Sequence, residues 1–170
     1  NYGSFLQAFS LKKNIESLGH TCEFINIIPG EQLEGYKTSC FYNIKLLFQR
    51  LWGWDFYKRF QTIFVFQNRF QKEFLPYLGV KKGINTKHYD VVVIGSDEVF
   101  NCTQKTWFGF SSQLFGKGLN ASRIITYAAS FGATTIDKLQ LVGKKEIVSS
   151  LLHDLDAISV RDENSMKVIE

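Results

Sequence analysis

Four short polar groups carry the residue types that could do chemistry: Asn1-Tyr2-Gly3, Gly95-Ser96-Asp97-Glu98, Ser130-Phe131-Gly132 and Arg161-Asp162-Glu163. Asp97 could accept a proton or orient a hydroxyl, and Arg161 could clamp a carboxylate or phosphate through two parallel hydrogen bonds. The glycines permit close approach of backbone to a ligand, and a helix N-terminus after such a turn offers free N–H groups to an anion. Each group also has a plainer use. Gly95 and Gly132 could serve only as tight strand-to-helix turns, Asp97 as a helix cap, and Arg161 as a structural partner of Asp162 or Glu163.

Whether the four groups meet depends on the elements that carry them. Asp90-Val91-Val92-Val93-Ile94 is continuously β-branched and closed by Gly95, the pattern of a parallel strand covered on both faces. Arg123 to Ala128 and Asp156 to Val160 read as two further strands, and Cys22 to Ile28 as one ended by Pro29-Gly30. Between them the period changes. Ser4 to Leu18 repeats its apolar residues at helical spacing, with Ser4 able to cap the first turn and Gly19 placed to stop it. Thr135 to Leu152 is helical, and Asp162 to Glu170 begins another helix. Strands alternating with helices predict an α/β domain with a parallel sheet. A helix entering a strand at the start leads us to expect an earlier strand outside this chain. In an open parallel sheet the loops leaving the carboxyl ends of strands gather on one edge, where ligands bind. That rule puts the four groups on a common rim, where together they read as a binding site.

Other chemistries find less support. His20, His88 and His153 each stand at an element boundary, and no H-E-x-x-H or similar metal-ligand spacing occurs. Neither a G-x-x-x-x-G-K-[ST] loop nor a G-x-G-x-x-G fingerprint is present, so a nucleotide cofactor lacks support. Gly116-Lys117-Gly118 reads as a surface turn. The three cysteines (Cys22, Cys40, Cys102) are odd in number and far apart, which disfavours a disulfide framework or a zinc site and fits a reducing cytosol. Cys102 reads as a small buried thiol rather than a nucleophile.

The 170 residues suit one domain, which at this length buries roughly 70% of the surface its unfolded chain exposes. With 45% hydrophobic and 21% charged residues the chain is ordinary globular material, neither disordered nor collagen-like. No apolar run approaches the ~20 residues needed to span a bilayer, and no signal-peptide pattern is present. The net charge of +4 is too small to argue for nucleic acid, but it hides a polarity. From 37 to 87 ten basic residues face only Asp55 and Glu73, a net +8 that leaves −4 for the rest. This stretch reads as two amphipathic helices around Trp52-Gly53-Trp54, an aromatic and basic insertion. Its aromatic residues could cover the sheet, or rest on an anionic membrane surface. They fall at helical spacing and not as an exposed sheet platform, which places single-stranded nucleic acid last.

In order along the chain, Asn1-Tyr2-Gly3-Ser4-Phe5-Leu6-Gln7-Ala8, Tyr89-Asp90 with Gly95-Ser96-Asp97-Glu98-Val99-Phe100-Asn101, Tyr127 to Gly132, and Ile158 to Ser165 resemble the polysaccharide pyruvyl transferase family. Phe100 departs from the Trp usual there, which an aromatic packing role survives. The resemblance implies one Rossmann-like half of a GT-B-like two-domain enzyme, with residues 1–170 as most of the amino-terminal half. It implies transfer of the pyruvyl group of phosphoenolpyruvate to a sugar or lipid-linked glycan, in the assembly of a bacterial cell-envelope glycan or exopolysaccharide. Together with the residue patterns above, the expectation is a cytoplasmic protein whose 37–87 stretch offers a contact to the inner membrane face, with phosphoenolpyruvate as donor, no cofactor and no metal-ligand set in the sequence. In that reading Asp97 orients or deprotonates the acceptor and Arg161 holds an anionic group of the donor. Asn1, Ser96 and Ser130 line the acceptor side, with Tyr2, Gly3, Gly95, Asn101 and Gly132 beside them. Arg and His residues of the family's second half have no counterpart here, so this segment alone is expected to be inactive. A GT-B-like glycosyltransferase and a non-catalytic, membrane-docked scaffold are the alternatives.

Overall fold

The computed structural model describes residues 2–33, 65, 68–79, 87–103 and 108–170. Asn1, Cys40 and the two helices expected around Trp52-Gly53-Trp54 lie outside these residues. The architecture is α/β. A parallel pair of strands, β1 (Tyr89–Gly95) and β2 (Ala121–Tyr127), runs in register from Tyr89 opposite Ala121 to Gly95 opposite Tyr127. Helix α1 (Tyr2–Ser17) precedes them, ending at Gly19 with φ +90°. A π-helical turn, Phe70–Phe74, runs directly into a short helix, α2 (Leu75–Leu78). Phe5 of α1 meets Phe74 edge-on at 5.3 Å between ring centroids, which docks the two helical segments together.

Beyond β2 the long helix expected from Thr135 to Leu152 divides into α3 (Ile136–Leu141) and α4 (Lys145–His153). The break is Gly143, whose φ of +66° no helix accommodates. Thr135 caps α3 by accepting the Lys138 N–H at 3.3 Å. The last helix, α5 (Glu163–Ile169), starts at Asp162, whose carboxylate accepts the Ser165 N–H at 2.8 Å.

The aromatic residues of the second half build the core. Phe100 is fully buried, stacked on Phe115 at 4.6 Å and tilted against Phe131 at 5.0 Å. Val92 and Ile94 of β1 and Leu139, Val148 and Leu151 of the helices close around them. Each such side chain contributes about 1.5–3 kcal/mol by leaving water. Cys102 lies at the margin of this cluster, and burial pushes its thiol up to about 11.

Three expectations need correction. The run at β1 was expected to be covered on both faces, yet Val91 and Tyr127 on the other face are exposed at 47% and 54%. Cys22 to Ile28 forms no ladder, because side chains satisfy its backbone instead. The Ile28 N–H bonds Gln113 Oε1 at 2.7 Å, Gln113 Nε2 donates to the Asn26 carbonyl, and the Ser111 hydroxyl donates to that of Ile28. Ile25 and Ile27 still pack on the core. Asp156 to Val160 likewise reduces to two parallel bridges, Ile125 with Ala157 and Ala129 with Val160. Here the Thr126 hydroxyl accepts the Ser159 N–H (2.8 Å), which a ladder would have used, and donates to the Ser159 carbonyl (3.0 Å), which also accepts the Ala129 N–H (3.0 Å).

Candidate functional site

The loop after β1 carries Ser96 to Asn101 as bends and turns, so Asp97 caps no helix. Its backbone anchors the loop: the Asp97 carbonyl accepts the Val99 N–H at 2.7 Å and the Ser130 N–H at 3.1 Å. Its side chain faces outward and is held by its neighbour and by two remote parts of the chain. Ser4 of α1 donates to Oδ2 at 2.6 Å, the Glu98 N–H donates to Oδ1 at 2.9 Å, and Arg161 Nη2 stands 3.6 Å from Oδ1. Asp97 keeps 44% of its side chain exposed and Arg161 33%. Ser4 is therefore inside the helix it was expected to cap, two residues past the start, and its hydroxyl is spent on Asp97.

The carboxyl edge thus brings together Asp97, Arg161 and, through Ser4, the first turn of α1. Gly3 is exposed one residue before Ser4. Arg161 reaches this position because its N–H bonds the Ala129 carbonyl at 3.2 Å, extending the pairing that Val160 makes with Ala129. Its expected structural partner Asp162 is engaged elsewhere. A hydrogen bond from the Ser130 hydroxyl holds the Asp162 carboxyl below the usual range. Backbone and hydroxyl of Ser165 and the nearby Arg161 charge act in the same direction.

Behind this lip lies a closed shelf. Ser130 and Asn101 are buried at 2% and 1%, and Ser96 is buried at the start of the loop. Ser130 accepts the Gly132 N–H at 2.9 Å, while the Phe131 N–H donates to Ser165 Oγ at 2.8 Å. Asn164 Nδ2 donates to the carbonyls of Gly132 and Thr134, so the start of α5 is stitched to the loop 130–134. Two glycines make the close approaches. At Gly95 (φ +135°) a Cβ would collide with the Tyr127 carbonyl oxygen, and at Gly132 (φ +55°) it would stand 2.5 Å from Glu98 Oε2.

Of the residues expected to line a site, Asp97 and Arg161 share one open lip. Gly95, Ser96, Asn101, Ser130 and Gly132 form the shelf beneath it, and Asn1 lies outside the described residues. Ser4, Glu98 and Thr134 carry contacts that no sequence motif assigned to them. Ser4 had one usable signal, its place directly after Asn1-Tyr2-Gly3 on the same edge. Among the described residues no three of His, Cys, Asp and Glu gather as a metal site, and no helix is long and apolar enough to cross a membrane.

Fold and site define an α/β protein with a polar site on the carboxyl edge of a parallel sheet. A family model, polysaccharide pyruvyl transferase, matches residues 1–170, and the chain belongs to this family of transferases. No curated protein and no solved structure matches it.

Proposed function

We propose that the protein transfers the pyruvyl group of phosphoenolpyruvate to a sugar hydroxyl or diol of a polysaccharide or its precursor, as the amino-terminal lobe of a GT-B-like enzyme. One observation supports this above others: Asp97 and Arg161 face each other at 3.6 Å on an open lip. An exposed pair of this kind adds only about 0–1 kcal/mol to stability, so folding gives little reason to hold it there.

In the proposed reaction the methylene carbon of the donor takes a proton from solvent water, leaving an oxocarbenium-like centre at the enol carbon. A sugar hydroxyl adds to that centre and gives its proton to Asp97. The bond from the same carbon to the phosphate oxygen breaks and inorganic phosphate departs. A second hydroxyl then closes the ketal with loss of its own proton. Arg161 offsets the negative charge of the donor's carboxylate or phosphate, and binding that anion draws the guanidinium off Asp97. Ser4 and the Glu98 N–H keep the carboxylate aimed while Arg161 is occupied.

The test is glycan-dependent phosphate release from phosphoenolpyruvate by the full-length protein. Asp97→Ala is expected to lower transfer by about 10²–10⁴, the usual worth of a general base. Arg161→Ala is expected to lower it by about 10²–10³, as for loss of one charge-stabilising donor. Wild-type rates in both variants would remove these residues from the mechanism.

A further inference from the structure

Glu98 stands one residue beyond Asp97, and the chain builds a seat for its carboxylate from two packed loops. Asn101 Nδ2 donates to Glu98 Oε2 at 2.7 Å. The other end of that amide, Asn101 Oδ1, accepts from the Thr134 hydroxyl at 3.1 Å. The direction of the remaining bond follows from proton count. Thr134 has one hydroxyl proton, already given to Asn101, so at the 2.8 Å contact between the two threonine hydroxyls Thr103 must be the donor. The Thr103 N–H adds a second donation to Thr134 Oγ1 at 3.2 Å. Every donor in the relay from Thr103 through Thr134 and Asn101 therefore points toward Glu98.

The relay is closed to water: Asn101 is 1% exposed, Thr134 is fully buried, and Thr103 is 9% exposed. Serial donation of this kind strengthens each bond and holds one geometry. Gly132 completes the seat by having no side chain, since a Cβ there would stand 2.5 Å from Glu98 Oε2 and 2.6 Å from Asn101 Nδ2. Glu98 itself is exposed, and its second oxygen, Oε1, has no partner among the described residues. A loop brace needs the first of these oxygens and has no use for the orientation of the second.

We infer that Glu98 is a sugar-binding carboxylate whose Oε1 accepts a hydrogen bond from an acceptor hydroxyl, with Asn101 and Thr134 as its positioning residues. The inference rests on the reading of this edge as an acceptor site, and adds the group that selects a polyhydroxylated ligand there. Two neighbouring carboxylates then divide the work: Asp97 meets the hydroxyl that reacts, and Glu98 holds another hydroxyl of the same sugar.

The experiment uses the full-length protein and two substitutions. Glu98→Gln keeps a carbonyl oxygen for the Asn101 donor while replacing the open oxygen with an N–H donor, so a mere brace survives it. Glu98→Asp keeps the charge on an arm too short for the seat. The probes are methyl hexopyranosides and their N-acetylamino counterparts, bound without donor and followed by saturation-transfer NMR, with melting temperature recorded for each protein. The wild type is expected to bind at least one probe, and both variants are expected to lose about tenfold or more in affinity for it, roughly 1.4 kcal/mol. Glu98→Gln is expected to melt with the wild type. Equal affinity in wild type and both variants overturns the inference, as does absence of sugar binding by the wild type. Binding that depends on Glu98 without pyruvyl transfer would leave this inference standing and overturn the proposed reaction.

Discussion

Asp97 and Asp162 are both carboxylates at the carboxyl edge, yet they are held in opposite ways. Asp97 is gripped at its tip by groups from far along the chain, Ser4 of α1 and Arg161, and stays 44% exposed. Asp162 is committed to the fold: it caps α5 through Ser165 in its own turn and receives the Ser130 hydroxyl from the loop packed against that helix. Long-range contacts that hold an exposed charged group contribute little to stability, whereas a helix cap contributes about 1 kcal/mol. A working carboxylate and a structural one at the same edge are thus told apart by what holds their oxygens. The first is held by side chains from other elements and keeps an open side; the second spends its oxygens on the helix it caps and on the loop packed against that helix.

A pair of isosteric substitutions separates the two carboxylates. Asp97→Asn should lower pyruvyl transfer by about 10²-fold or more. Its melting temperature should stay near wild type, because surface changes of this kind are usually within about 0.5 kcal/mol. Asp162→Asn should do the reverse. Asn still caps helices, so the loss falls mainly on the Ser130 contact and the favourable charge at the α5 N-terminus, about 0.3–1 kcal/mol. Activity of the folded protein should follow only as far as Arg161 shifts. Equal effects of the two on transfer would erase the distinction.

A smaller effect sharpens the same contrast through pH. The Asp162 carboxyl is held below its ordinary value, chiefly by the Ser130 hydroxyl. A carboxylate whose folded value is depressed stabilises the fold at any pH above the unfolded value, about 3.9. That stabilisation is lost as pH falls through the depressed folded value. Urea midpoints measured from pH 7 down to pH 3 should therefore drop less steeply in Asp162→Asn than in the wild type over the acid end. Parallel curves would show that Asp162 bears none of the acid sensitivity.

How much of this was legible in the sequence follows from the range of each interaction. β1 and the polar groups at strand ends are set by local residue type, and the expected strand at Asp90 to Ile94 and the expected shared edge both appear. Asp97 and Arg161 were expected on one rim, and the fold brings them to 3.6 Å. The strands expected at Cys22 to Ile28 and Asp156 to Val160 do not form ladders. β-propensity says nothing of a Thr126 or Gln113 side chain that takes the backbone groups a ladder needs. Ser4 looked like a cap because helix-cap chemistry is local, while its partner is 93 positions away. The seat of Glu98 was equally hidden, since Asn101, Gly132 and Thr134 acquire a common purpose only once two loops are packed together.

The smallest expected effect reports on whether the shelf under the lip stays shut. Cys102 lies between Asn101 and Thr103, 4% exposed, with burial pushing its thiol up to about 11. Only the thiolate reacts at an appreciable rate. At pH 8 a thiol titrating near 11 holds roughly one part in a thousand as thiolate, against about a quarter for a free cysteine. Peptide-resolved alkylation of the native protein should therefore leave Cys102 essentially unmodified while denatured protein labels fully. Labelling near the rate of a free thiol would mean that the loop carrying Asn101 opens at little cost. In that case the relay seating Glu98 could not hold one orientation, and the contrast between an exposed working lip and a rigid support beneath it would fail at its base.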